Sequence, residues 1–202
     1  LKINKNVVFI NGDDLRAYHP KYYFYLREND TEAADLTQPV CNIWIESVIR
    51  ECVDKGLDFI VEGTMRKKEV PLKTAQMLNQ NKYKVNLVVV STPYEVSLKS
   101  IQLRYDELKR LGQLARFTKK TSHDEAYQNI EDTLHTLLES GLFDKFYIYK
   151  RKLGEFEGVV FGNEHNNDEV LKVFIEGRTR LVEDREKDNL FSNSFKFKPI
   201  LK

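Results

Sequence analysis

Two carboxylates stand directly behind short apolar runs: Asp13 after residues 7–10, and Glu62 after residues 59–61. If those runs are neighbouring buried strands, both acids open into one crevice. That arrangement suits a general base beside an acid that organises a metal. Asp13 and Asp14 also read as ordinary turn or cap residues, the usual occupation of loop aspartates. Glu62 is harder to dismiss, because a Glu closing the run Phe-Ile-Val is awkward in a buried strand and the next residue, Gly63, lets backbone approach a ligand closely. Three arginines fall where an anion site needs them: Arg66 beyond the second run, Arg104 near the apolar face of an amphipathic segment, and Arg116 in the loop after Gly112. Planar guanidinium groups match phosphate oxygens bidentately. Taken alone, Arg104 reads equally well as a snorkelling surface residue, and His123 as a capping or packing residue.

The pattern around these residues predicts the elements that position them. Strands are expected at 7–10, 59–61, 86–90, 146–149 and 159–161. A helix over 39–55 starts with Pro39 in its first turn, turns Ile45, Val48, Ile49 and Cys52 inward, and stops at Gly56. Further helices are expected over 71–80, over 94–111, from a capping box at Ser122 and Glu125 to Gly141, and over 167–175. Residues 178–187 read as a charged surface stretch, and the tail from Asn189 alternates Phe with polar residues. Strand–helix alternation of this kind indicates an α/β fold, a mostly parallel sheet with helices on both faces, whose ligand crevice lies outside the carboxyl ends of the strands.

The composition is that of a globular domain: 202 residues, 41% hydrophobic and 31% charged, with 32 Lys+Arg against 31 Asp+Glu. A net charge of +1 argues against a dedicated nucleic-acid or membrane-surface binder. The apolar runs are far shorter than the ~20 residues of a membrane span, and no signal segment opens the chain, so a soluble, cytoplasmic protein is expected. Cys41 and Cys52 lie on different turns of one predicted helix and read as free, buried thiols. Among nine glycines there is no G-x-x-x-x-G-K-[ST], and no GxSxG, HExxH or cysteine ligand set is present. Metal hydrolases, α/β-hydrolases and zinc proteins are therefore poor candidates.

Three stretches, NVVFINGDDLRAYHPKY at 6–22, LDFIVEGTMRKKEVPLKTAQML at 57–78 and IQLRYDELKRLGQLARFTKKTSHD at 101–124, together resemble the zeta-toxin family of toxin–antitoxin systems. They follow the family's order and approximate spacing across residues 6–150. The resemblance implies a P-loop kinase fold and ATP-dependent phosphorylation, with Mg²⁺, of the 3′-hydroxyl of UDP-N-acetylglucosamine. It makes Asp13 the base, Glu62 an acid near Mg²⁺, and Arg104 and Arg116 the contacts to the ATP phosphates. It places Glu46, Thr64, Arg66 and Thr74 along the sugar-nucleotide pocket, and it implies an antitoxin as partner.

Two positions depart from the family pattern: Asn11 stands where an acid is usual, and Phe117 where a Pro is frequent. The family's first β-strand, P-loop and helix should precede Val7, and only six residues do. The expectation is accordingly a kinase domain over 1–176 without that unit, a charged extension over 177–202, and marginal stability for the chain by itself. Two alternatives share these residues. One is a non-catalytic remnant that keeps a sugar-nucleotide or antitoxin surface. The other is a related small-molecule kinase with a different hydroxyl acceptor.

Overall fold

The apolar run in front of Asp13 is a strand, β1 (Val8–Asn11), and it pairs in parallel with β2 (Phe59–Glu62). The register sets Val8 opposite Phe59 and Asn11 opposite Glu62, so both strands end at one level. The computed structural model describes residues 7–152, 155–162 and 164–184. The sequence reading of the tail from Asn189 lies outside them. The described residues divide into two compact units, one ending at Thr64 but also including Leu108–Lys119, the other formed by Met65–Glu107 and the residues from Lys120 onward.

In the first unit β1 runs straight into α1 (Gly12–Arg16). The sequence reading ended the strand at Ile10 and left Asp13 and Asp14 as turn or cap residues. Instead Asn11 caps the helix, its Oδ1 accepting from the backbone N–H of Asp13 at 2.8 Å. Next come α2 (Tyr22–Glu28) and α3 (Ala33–Asp54). Helix α3 starts six residues before Pro39, which therefore lies inside the helix and not in its first turn. A proline there removes one N–H donor and loosens the turn before it. Two side chains bond to carbonyls of that turn: the Thr37 hydroxyl donates to Ala33 O at 2.7 Å and the Arg16 guanidinium to Ala34 O at 2.7 Å. Gly56 ends the segment with φ of +62°, a conformation glycine adopts without steric cost. Tyr22, Leu26 and Ala33 form a buried cluster, while Ile10, Cys41, Ile49 and Cys52 are buried on β1 and α3.

The second unit is built on a three-stranded sheet. Its central strand β4 (Lys145–Lys152) pairs in parallel with β3 (Asn86–Ser91) and antiparallel with β5 (Glu155–Phe161). Four helices accompany it: α4 (Glu69–Gln80), α5 (Tyr94–Arg110), which passes into the first unit at Leu108, α6 (Lys120–Glu139) and α7 (Asn167–Thr179). Leu134 and Leu138 of α6, with Val170 and Phe174 of α7, pack on Val89, Phe146 and Ile148 of the sheet. Each such burial is worth roughly 1.5–3 kcal/mol, and the i, i+4 spacing in both helices is what turns one face to the core.

Helix α6 begins two residues before the expected capping box, so Ser122 sits in its first turn and not at its cap. The turn is held by Lys120, whose Nζ donates to Asp124 at 2.5 Å and to the Tyr94 hydroxyl at 2.9 Å. His123 is a packing residue as its isolation suggested, buried with its ring stacked on Tyr127 and edge-on to Tyr94. Arg178, read from sequence as the start of a surface stretch, lies 3.9 Å over the Tyr127 ring and donates to the Tyr127 carbonyl. The stretch turns inward again at Val182, which is buried with Val96 and Leu103. No helix among the described residues is long and apolar enough to cross a membrane.

Candidate active site

Strand pairing does in the first unit what the sequence required of it. Because Asn11 and Glu62 are register partners, β1 and β2 end at one level, with Glu62 closing β2 and Asp13 lying in the first turn of α1. Asn11 joins them physically. Its Nδ2 donates to Glu62 Oε2 at 2.9 Å while its Oδ1 holds the backbone of Asp13. An amide can do both because it carries a donor and an acceptor on one planar group; an ionised acid could only accept.

The Asp13 carboxylate, its side chain 45% exposed, is held from two directions. Arg16 Nε reaches Oδ1 at 3.1 Å, and Arg116 NH2 reaches Oδ2 at 2.8 Å. The two arginines differ in seating. Arg16 is 4% exposed, and its NH1 donates to Ala34 O and to Thr37 Oγ1, each at 2.7 Å, while NH2 donates to Gln38. Arg116 comes from residues 113–119, which have no regular secondary structure. That segment is tied to α3 by Lys119, whose Nζ meets Glu32 and Asp35 at 2.8 Å each. Lys109, in the last turn of α5 before the segment, pairs with Asp30 at 2.5 Å. Tyr22 lies close by; burial first, and then the negative charge of Asp13, push its hydroxyl pKa above 10.

Arg16 and Lys119 were not among the residues singled out from sequence. An Asp-x-x-Arg spacing directly after a strand was the available signal for Arg16, since residues three apart meet on one helix face.

The other predicted residues are placed as follows. Glu46 lies exposed on α3, where its carboxylate accepts from Arg50 at 3.3 Å, and Thr64 is exposed two residues beyond β2. In the second unit Arg66 NH1 meets Glu125 Oε2 at 3.4 Å, and the Arg66 carbonyl accepts from Asn129 at 3.2 Å. Thr74 Oγ1 donates back to Val70 O at 3.0 Å within α4, which leaves its lone pairs available to a ligand donor. Arg104 is half-buried on α5 beside the buried Leu103. The first unit thus brings together Asp13, Glu62 and Arg116 and adds Asn11 and Arg16 to them, while Arg66, Thr74 and Arg104 belong to the second.

This charge arrangement, a pinned carboxylate flanked by guanidinium groups, can orient a hydroxyl and counter developing negative charge. Among the described residues no group of three or more His, Cys, Asp or Glu side chains could enclose a metal ion.

Comparison with known proteins agrees with the residues quoted above. A family model described as "Zeta toxin" matches residues 1–167. Toxin PezT of Streptococcus pneumoniae is 33% identical over 147 residues, covering 72% of this chain and 58% of that protein. Toxin zeta of Enterococcus hirae is 30% identical over 148 residues, covering 73% of this chain and 52% of that one. The match therefore spans little more than half the length of these relatives. A solved chain from the PezAT chromosomal toxin–antitoxin system of Streptococcus pneumoniae aligns with a TM-score of 0.74 at 27% identity, covering 94% of this chain and 73% of that chain.

Proposed function

Since the chain belongs to the zeta toxin family, we propose that it serves as the toxin of a toxin–antitoxin system, acting as an ATP-dependent kinase on UDP-N-acetylglucosamine. The observation that supports this most is the Asp13 carboxylate, held in α1 just beyond β1 by Arg16, met by Arg116 and linked to Glu62 through Asn11. The acceptor is the sugar 3′-hydroxyl. Its oxygen bonds to the γ-phosphorus of ATP as its proton passes to Asp13. The bond to the bridging oxygen breaks, and ADP departs with that electron pair. A loose transition state of this type needs orientation and charge stabilisation more than a strong base, so a carboxylate held by arginines suffices.

Arg116 turns from Asp13 toward the phosphates, and Arg104 is likewise assigned to them; cationic clamps of this kind are worth ~10³–10⁵ in rate. Glu46, Thr64, Arg66 and Thr74 are the residues assigned to the sugar nucleotide. The acids present fit a Mg²⁺ that arrives on the nucleotide better than one caged by protein. Both Asp13 oxygens are engaged by arginine and Glu62 accepts from Asn11, so Glu62 is assigned a supporting place near the ion and not that of a sole ligand. Bound there, Mg²⁺ would neutralise phosphate charge. The partner is a cognate antitoxin, and the compartment is the cytoplasm, where ATP and the sugar nucleotide are found together.

The test is to incubate the full-length protein with ATP, Mg²⁺ and UDP-N-acetylglucosamine and to identify the product by mass spectrometry and NMR. A monophosphorylated sugar nucleotide carrying the new phosphate on the 3′-oxygen is expected. Phosphate on another acceptor, or no transfer to the sugar nucleotide, overturns the assignment.

A further inference from the structure

Resting on the reading of Asp13 as the base, we propose that Arg16 is its positioning residue, and that Asp13 Oδ2 is the oxygen that receives the substrate proton. The carboxylate has two oxygens with unequal partners. Oδ1 is bonded by Arg16 Nε at 3.1 Å, and the rest of that guanidinium is committed to Ala34 O, Thr37 Oγ1 and Gln38. Four acceptors around one planar cation fix its orientation, and at 4% exposure water cannot replace them.

Oδ2 is bonded by Arg116 through NH2, from a segment without regular structure, at a side chain 22% exposed. One contact holds when substrate arrives, and the other exchanges. The atom that Arg116 vacates is the one that faces the hydroxyl.

The wiring also explains why Arg and not Lys stands at position 16. A single ammonium cannot meet Asp13 across α1 and the two carbonyl-side acceptors of α3 in one fixed plane. Thr37, which bonds both Arg16 and Ala33 O, carries the same function one step further from the substrate.

The test measures kcat and KM for the sugar nucleotide in the full-length protein and its variants. Arg16→Gln is expected to lower kcat by ~10²-fold, the scale of a misplacement of about 1 Å, with KM changed less than about threefold. Arg16→Lys should recover roughly a tenth of the lost rate. Adding Arg16→Gln to Asp13→Ala should cost nothing further, because the guanidinium acts only through the carboxylate.

A folded Arg16→Gln protein with undiminished kcat, or a double variant that loses rate additively, overturns the proposal while leaving the role of Asp13 intact. If Asp13→Ala alone is fully active, the reading beneath the proposal fails instead. If Arg16→Gln does not fold, Thr37→Val, which keeps the volume and removes one anchor, decides the matter: a several-fold drop in kcat at constant KM supports the positioning role, and no drop refutes it.

Discussion

Replacing Gly177 by Ala sets two effects of opposite sign against each other, and the local geometry decides between them. In an ordinary helix interior the change would stabilise by about 1 kcal/mol, because Gly has more backbone freedom to lose. Gly177, however, is where α7 crosses β3 and β4. A Cβ built there would stand 2.5 Å from Ser91 Oγ, 2.8 Å from Ser91 Cβ and 2.8 Å from Lys150 Cγ. Lys150 can bend away; Ser91 cannot. It is fully buried, and its hydroxyl donates to the Phe174 carbonyl at 2.5 Å, so yielding means breaking a buried hydrogen bond or shifting the helix.

Overpacking of this kind costs ~1–3 kcal/mol, and the hydrogen bond adds about 1 kcal/mol. The net expectation is a destabilisation of ~1–3 kcal/mol, or about 2–4 °C in Tm per kcal/mol for a chain of this size. Urea titration followed by far-UV circular dichroism reads it directly. Combining Gly177→Ala with Ser91→Gly should recover most of the loss. Unchanged or increased stability of Gly177→Ala would refute the packing argument.

Other expectations follow from the same contacts. Asn11→Ala removes the cap of α1 and the link to Glu62, and should cost ~1 kcal/mol by denaturant titration; Asn11→Asp keeps the cap but sets a negative charge against Glu62, so it should not restore the protein fully. Burial pushes the thiol pKa of both Cys41 and Cys52 above 9, so a chromogenic disulfide reagent at about pH 8 should label neither promptly in the folded protein and both in urea. Rapid labelling of the folded protein would contradict their burial. The Lys120–Asp124 pair gives stability a pH signature. Hydrogen bonds from Lys120, then His123 and Tyr94, hold the Asp124 carboxyl well below 3.8, while Asp124 and Tyr94 hold the Lys120 ammonium well above 10.5. The pair's contribution is thus complete between ~pH 4 and ~pH 10.5 and fades as pH falls below or rises above that window. The stability difference between the protein and Lys120→Met should be largest near neutral pH and shrink toward both extremes; a difference independent of pH would exclude the pair as its source.

Much of this molecule was legible in its sequence, and the exceptions share a physical cause. Strands β1, β2 and β3 were visible because short β-branched and aromatic runs bounded by Gly, Asn or Pro admit few other readings. Strand-end logic set Asp13 and Glu62 behind neighbouring strands, and the parallel register pairs Asn11, two residues before Asp13, with Glu62. What local patterns missed were features settled by partners distant in sequence. Pro39 signals a helix start, yet α3 extends six residues before it, with Arg16 and Thr37 bonded to carbonyls of the loosened turn. Ser122 and Glu125 spell a capping box, yet Lys120 and Tyr94 set the start of α6, and Glu125 faces Arg66. Arg16 carried no local signal of burial; the packing of α1 on α3 buries it three residues from Asp13.

The most direct test of the central claim is the rate of γ-phosphate transfer to UDP-N-acetylglucosamine by the full-length protein carrying Asp13→Asn. Asparagine keeps the shape of the side chain and removes its ability to take a proton. The account predicts a loss of ~10²–10⁴ in kcat, with the fold and the affinity for the sugar nucleotide retained. Transfer at close to the unsubstituted rate would contradict it.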